Sequence, residues 1–214
     1  MKVALIGAGR MGTALAKLLV EAGHEVVLSN SRGPESLAES VADIGGGSKA
    51  AGVIDAVEAA DVVVLATPWP KTQEAVAAVA DWTGKLVVDT TNNRRAPGPD
   101  GLIDIGGQIS SEVVASYVPG AHVVKAFNVT PIPMMAAALG SGAGENNAVY
   151  IAGDDADAKQ VVAQLISSIG GEAVDTGDLH TGGRLQGTGG PLSGRLEMQT
   201  PTQAREYLQE VQAN

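Results

Sequence analysis

An α/β fold built on a mostly parallel sheet is predicted by three observations. Short β-branched apolar runs alternate with stretches whose apolar residues recur every three or four positions, and the first run passes straight into Gly-x-Gly-x-x-Gly. The chain has 214 residues, enough for one such domain with a short C-terminal extension. The expected division is a domain over 1–176 and a glycine-rich segment with a terminal helix, packed on the same domain, over 177–214.

Taken in order, Lys2 to Ile6 reads as a buried parallel strand and Thr13 to Ala22 as a helix, so the glycines lie in a strand-to-helix turn. Gly7 permits the turn, Gly9 lets the backbone approach a pyrophosphate, and Gly12 allows the helix to lie close on its strand. Bare N–H groups at the helix start then face the phosphates. This is the signature of a Rossmann-type, doubly wound dinucleotide-binding fold. Glu25 to Ser29 is the second strand. Where an acidic residue would receive the ribose hydroxyls of NAD, the chain has Asn30, Ser31 and Arg32. Amide, hydroxyl and guanidinium are donors, and the arginine can fork onto a phosphate, so NADP(H) is the expected cofactor.

Pro34 to Ala42 is a short helix, Ser48 to Ala51 a weak strand, and Ile54 to Ala60 a helix. Val62 to Ala66 is the most apolar strand and belongs at the sheet centre. It ends in Thr67, Pro68, Trp69 and Pro70, read as a stiff, non-helical loop at the carboxyl end of a central strand, where open α/β sheets bind ligands. Trp69 is a candidate wall for the nicotinamide or an acceptor ring; the alternative is a plug beside the next helix, Lys71 to Ala80. Lys85 to Asp89 is a strand, followed by the polar run Asp89 to Pro99. Within that run Asn92 is a candidate cofactor neighbour, and Arg94 and Arg95 either steer an anionic acceptor or are simply solvated.

Ser110 to Tyr117 reads as a helix with serine caps. The strand Val123 to Ala126 runs into Phe127, Asn128 and a proline-stiffened turn, and the Asn128 amide suits the nicotinamide carboxamide. Three strand ends, Thr67 to Trp69, Thr90 to Asn92 and Ala126 to Asn128, are thus expected to converge on one hydride-transfer site. Gly140 to Asn146 is a loop, and Ala148 to Ala152 a strand. Asp154 and Asp155 cap a helix over Ala156 to Ile169, and Glu172 to Asp175 is the last strand. Gly177 to Gly194 lacks helical periodicity and is open to three readings: a lid, a dimer contact or a mobile stretch. Thr200 to Gln212 is a terminal helix.

Composition narrows the function classes. A formal net charge of −10 argues against nucleic acid or an anionic membrane surface as partner. The 28 glycines, roughly twice the usual share, suit tight turns and close helix packing. With no cysteine, thiolate catalysis, disulfides and cysteine metal sites are excluded. His24, His122 and His180 follow no metal spacing and are expected to be structural or solvated, so no metal site is assigned. No apolar run is long enough to span a bilayer, and the first strand begins at once without a leader, so the expectation is a cytoplasmic protein.

IGAGRMG with SNSR, ADVVVLATPWP, GKLVVDTTN, VVKAFN before its proline turn, and AGDDADAKQVVAQLISSIGGEAVDTGDL together cover roughly Met1 to Leu179. In their order and spacing these segments resemble the NADP-dependent oxidoreductases of the deazaflavin coenzyme F420, and the related dinucleotide-binding domain of transmembrane metalloreductases. The resemblance implies hydride transfer between NADPH and a deazaflavin or flavin-like ring, and a homodimer. It places pyrophosphate contacts at Gly9, Arg10, Met11 and Gly12 and the 2′-phosphate at Ser31 and Arg32. Thr67, Pro68, Ala126 and Asn128 become nicotinamide neighbours. No residue is assigned as catalytic; Thr67, Pro68, Trp69 and Asn128 are candidates for orienting the substrate. The family's histidine after the fourth strand is missing, since that loop reads TPWPKTQ.

Reductases of imino acids and dehydrogenases of β-hydroxy acids begin similarly but append a helical domain that supplies an acid. The expectation is that this chain has no room for one, which favours a ring acceptor. The alternatives are a non-catalytic NADPH sensor, or a reductase of a ferric chelate, quinone or imine.

Overall fold

The computed structural model describes residues 1–95, 101–140, 147–194 and 197–213. The end of the polar run, 96–99, and the loop 141–146 lie outside them. Among the described residues the strands β1 (Lys2–Ile6), β2 (Glu25–Ser29), β3 (Lys49–Ala50), β4 (Val62–Leu65), β5 (Leu86–Asp89), β6 (His122–Ala126), β7 (Asn147–Gly153) and β8 (Gly171–Asp175) form one sheet. Its order is β3-β2-β1-β4-β5-β6-β7-β8. Every neighbouring pair is parallel except β6 with β7. The order reverses between β1 and β4, which opens a crevice beyond their carboxyl ends.

Both faces of the sheet are covered, and the side-chain alternation of each strand shows it. Val3, Leu5, Val62 and Val64 pack in one core with Leu15 and Leu19 of α1 (Arg10–Glu21). The same core takes Met135 of α6 (Ile132–Gly140) and Val162, Leu165 and Ile166 of α7 (Ala156–Ser168). Ala4, Ile6, Val63 and Leu65 point the other way, onto Val57 of α3 (Val53–Ala59), Val76 of α4 (Trp69–Val76) and Val114 of α5 (Ser110–Tyr117). A period of two, buried on both sides, is why VVVL reads as an unbroken apolar run. Between β2 and β3 lie a 3-10 turn (Pro34–Leu37) and α2 (Ala38–Ile44).

The C-terminal segments pack on β7 and β8. Ala148, Tyr150 and Val174 meet Leu192 and, from α9 (Pro201–Ala213), Ala204 and Leu208. The Tyr150 hydroxyl donates to Gln199 Oε1 at 2.8 Å.

Four expectations are corrected. Trp69 and Pro70 are the first turn of α4 rather than a non-helical loop: Pro68 is its N-cap, and a proline in the first turn lacks only an N–H that has no helical partner anyway. That helix ends at Val76, short of Ala80. The serines of α5 are not caps; Ile109 holds that position, and Ser110 and Ser111 are buried in the first turn. The stretch after Asn128 carries a helix, α6, that its prolines conceal, since Pro133 falls in the first turn where it is tolerated. Finally, Gly177 to Gly194 contains α8 (Thr181–Gln186), and its glycines are there for contact. A Cβ on Gly182 would sit 2.4 Å from Thr176 Oγ1, and one on Gly183 2.1 Å from Ser111 Oγ.

Candidate active site

The carboxyl ends of the strands frame two adjoining clefts that share Ala66, Thr67 and Pro68. The first, about 900 Å³, is the glycine-turn cleft, lined by Gly7 to Gly9, Asn30 to Gly33 and the start of α3. Gly7 has φ +109°, and a Cβ there would lie 2.6 Å from the Ala66 carbonyl oxygen. On Gly12 a Cβ would lie 1.9 Å from the Gly7 carbonyl oxygen. These two glycines are demanded by the protein's own packing. Gly9 is different: a Cβ there meets nothing within 4 Å, so the space above it is kept for something else. It is the N-cap of α1, a helix with no side-chain cap and no acidic residue in its first turn. That is a site prepared for an anion.

At the far end of this cleft Asn30 shapes the turn, its Oδ1 accepting from the Arg32 N–H at 2.9 Å and its amide donating to Ser36 Oγ at 2.9 Å. Ser31 and Arg32 are exposed, and Arg32 makes no ion pair among the described residues. Of the acidic residues lining this cleft, Glu74 is already paired with Lys71 at 2.9 Å, and Asp55 lies on α3. An orphaned guanidinium beyond a strand end, with no carboxylate at the ribose position, fits a 2′-phosphate.

The second, about 730 Å³, is the strand-end cleft. Thr67 to Trp69, Thr90 to Asn92 and Phe127 to Pro133 line it, with Arg10 and Met11 at the glycine-turn side and Thr188, Gly189, Ser193 and Gly194 opposite. The predicted convergence of three strand ends is thus present, with two exceptions in detail. Ala126 is wholly buried in the core and is not part of the lining. Trp69 is 9% exposed and packs with Val76 and Leu65, so it is chiefly a core residue with one edge on the cleft. Phe127 has φ +62°, unique among the described non-glycine residues, and so turns the chain sharply out of β6 at the cleft floor.

Asn92 and Asn128 hold each other. Asn92 Nδ2 donates to the Asn128 carbonyl at 2.9 Å, and Asn128 Nδ2 donates to Asn92 Oδ1 at 3.2 Å and to the Gln186 carbonyl at 2.9 Å. Because both neighbours of that nitrogen are acceptors, the orientation of the amide is settled, and Asn128 Oδ1 is left buried without a partner among the described residues. An orphaned acceptor costs on the order of 1–3 kcal/mol, so one on a cleft wall points to a donor on a ligand. The carboxamide NH₂ of a nicotinamide is such a donor. Thr188 Oγ1, on the opposite wall, is likewise buried and without a partner among the described residues. Among the described residues that line this cleft the charged ones are Arg10, Arg94 and Arg95, in a chain of net charge −10.

None of the three histidines lines either cleft. His24 contacts the N-terminal amine and Ser168, and burial pushes its pKa down; His122 pairs with Asp155 and His180 with Glu112. Sequence reasoning missed Thr188 and the wall it belongs to, because small polar residues in a glycine-rich run carry no signal of their own. It also passed over the buried pair of Asp89 and Lys125 beneath the cleft, 2.9 Å apart. A usable signal existed there: LVVD and HVVKA each carry one charge near the end of an otherwise apolar strand.

Residues 2–93 match the family described as NADP oxidoreductase, coenzyme F420-dependent. Among solved structures, a hypothetical protein from Sinorhizobium meliloti is 39% identical with a TM-score of 0.83, covering 93% of this chain and 96% of that one. A protein from Arthrobacter sp. FB24, named as an F420-dependent NADP-reductase, is 29% identical with a TM-score of 0.71 over 84% of this chain and 86% of its own. The metalloreductase STEAP3 of Rattus norvegicus is 30% identical over 180 residues, 83% of this chain but 34% of its own length. The chain therefore spans about a third of the length of that relative. Among the described residues no helix is long and apolar enough to cross a membrane.

Proposed function

Because this chain belongs to the coenzyme F420-dependent NADP oxidoreductase family, we propose that it carries a hydride between NADPH and a planar redox ring, a deazaflavin or a flavin-like acceptor. Two adjoining clefts carry the reading, one a phosphate cradle and the other open and ringed by arginines with an orphaned acceptor on its wall. NADPH supplies the hydride when bound. The protein's own contribution is binding and orientation. The N–H groups at the start of α1 receive the pyrophosphate at Gly9 to Gly12, and Ser31 and Arg32 receive the 2′-phosphate. Asn128 Oδ1 accepts from the carboxamide, which fixes the face of the ring turned to the cleft. Thr67 and Pro68, common to both clefts, position the junction between the two halves of the dinucleotide, and Asn92 braces Asn128.

The acceptor then enters from the open side, between Trp69 and the Thr188 to Gly194 wall. Arg94 and Arg95 give that entrance a positive field, which suits an anionic acceptor. Hydride transfer to a ring of this kind needs close, aligned approach more than a protein acid, so positioning is the main catalytic resource. We further propose that the protein acts as a homodimer in the cytoplasm.

NADPH oxidation measured against a panel of deazaflavin, flavin, quinone, ferric chelate and small imine or keto acceptors tests this reading. The expected result is turnover with the deazaflavin or flavin. Turnover confined to small imines or keto acids, or NADPH binding without oxidation by any of them, contradicts it.

A further inference from the structure

Beneath the strand-end cleft lies an ion pair that the cofactor contacts do not use. Asp89 ends β5, and Lys125 occupies the facing register position of β6. Both side chains are wholly buried, with Lys125 Nζ 2.9 Å from Asp89 Oδ2. Every other side-chain hydrogen bond of the pair goes to one residue. Lys125 Nζ donates to the Thr91 carbonyl at 2.9 Å, while Asp89 Oδ1 accepts from the Thr91 N–H at 2.8 Å and its hydroxyl at 2.7 Å. Thr91 is thereby held at its N–H, its C=O and its side chain. It lines the cleft, its neighbour Asn92 exchanges hydrogen bonds with Asn128, and Asn128 carries the unpartnered Oδ1.

Fold stability gives little reason for such a pair. Desolvating two charges costs several kcal/mol per ion, and apolar residues of similar volume often serve equally well or better. Within the two strands the residues adjoining the pair are the apolar Val88, Val124 and Ala126. We propose that Asp89 and Lys125 are positioning residues: by clamping Thr91 they fix the Asn92–Asn128 couple so that Asn128 Oδ1 meets the nicotinamide carboxamide. Phe127 adds an independent reason. Its left-handed backbone, φ +62°, persists only where the surroundings over-determine it, and it sits between Lys125, tied to Asp89 at the end of β5, and Asn128, tied to Asn92 in the segment that follows. The inference rests on the placement of the nicotinamide proposed above.

The test is the double variant Asp89→Leu/Lys125→Met, which removes both charges together and strands neither. Three ligands are titrated: NADP⁺, its 3-acetylpyridine analogue, which lacks the carboxamide NH₂, and 2′,5′-ADP, which lacks the nicotinamide half. The wild type is expected to prefer NADP⁺ over the analogue by about fivefold, the worth of one hydrogen bond. In the double variant that preference should vanish while 2′,5′-ADP affinity stays within about twofold, the span of ordinary non-specific effects. Retained preference, or loss of 2′,5′-ADP affinity in step, overturns the positioning role. Absence of any preference in the wild type overturns the nicotinamide placement itself. If the double variant does not fold, Thr91→Val decides, since it deletes only the hydroxyl bond to Asp89: a reduced preference supports the proposal and an unchanged one overturns it.

Discussion

The two clefts are built from different kinds of information. The glycine-turn cleft draws on consecutive pieces of chain, the turn after β1, the turn after β2 and the starts of α3 and α4, and each piece has its own local pattern. The strand-end cleft gathers residues from Arg10 to Gly194, and its decisive atom, Asn128 Oδ1, is defined by contacts with Asn92 and Gln186. Local motifs can specify where a phosphate binds, because a helix start and a glycine suffice. Where a ring is held face-on, the chain must bring distant strand ends into register, and no single segment encodes that.

If the comparison is sound, substitutions in the first cleft should act on the adenosine end of the dinucleotide and those in the second on the nicotinamide end. The largest effect is expected within the glycine turn itself. Gly9→Val fills space that no protein atom occupies, so NADPH binding should be abolished while thermal unfolding stays cooperative. Gly12→Val drives a side chain into the Gly7 carbonyl oxygen, which a Cβ would approach to 1.9 Å, and cooperative folding should be lost. Calorimetry with and without NADPH separates the two. Normal NADPH binding by the Gly9 variant would place the phosphates elsewhere.

Next in size is Arg32→Ala. Wild-type protein should bind NADPH at least tenfold more tightly than NADH, and losing a charge-assisted pair worth about 1.5–3 kcal/mol should remove most of that preference. Equal wild-type affinities would end the 2′-phosphate assignment. Asn128→Ala comes third, with turnover reduced about three- to tenfold for a single hydrogen bond and 2′,5′-ADP affinity unaffected. Equal losses in both measurements would erase the distinction between the clefts.

The contrast also explains what was legible beforehand. The alternating elements, the two-sided burial of VVVL and the cap at Asp155, whose Oδ1 accepts from the Ala158 N–H at 2.9 Å, all follow from local periodicity and capping chemistry. So did the convergence of Thr67, Asn92 and Asn128, once three strand ends were known to be parallel. Helix α6 was hidden because IPMMAAAL carries at its second position a proline that a helix accepts only in its first turn. Helix α8 was hidden because its Gly182 and Gly183 answer to Thr176 and Ser111 and not to helix propensity. The wall carrying Thr188 was therefore invisible: its structure is dictated by what it packs on.

That wall offers the smallest expected effect. Asp178 Oδ1 accepts from the Thr181 N–H at the start of α8, and this bond holds its carboxyl below the usual carboxylate range. A depressed folded-state pKa stabilises the fold above the ordinary Asp value, and the contribution disappears as pH falls through the depressed one. Asp178→Ala should lower the thermal midpoint slightly at pH 7, and the difference from wild type should close under strongly acidic conditions. Affinity for 2′,5′-ADP should not change, because no residue of α8 lines the glycine-turn cleft.

The central claim is that hydride crosses directly from the nicotinamide to a ring held in the strand-end cleft. Stereospecifically deuterated NADPH, labelled at C4 on one face and then on the other, tests it with a deazaflavin as acceptor, whose receiving carbon keeps its hydrogen. The account predicts that deuterium from one face alone appears on that carbon, with none from the other. Complete loss of label to solvent from both faces, or no reduction of the deazaflavin while small keto or imino acids are reduced, would contradict it.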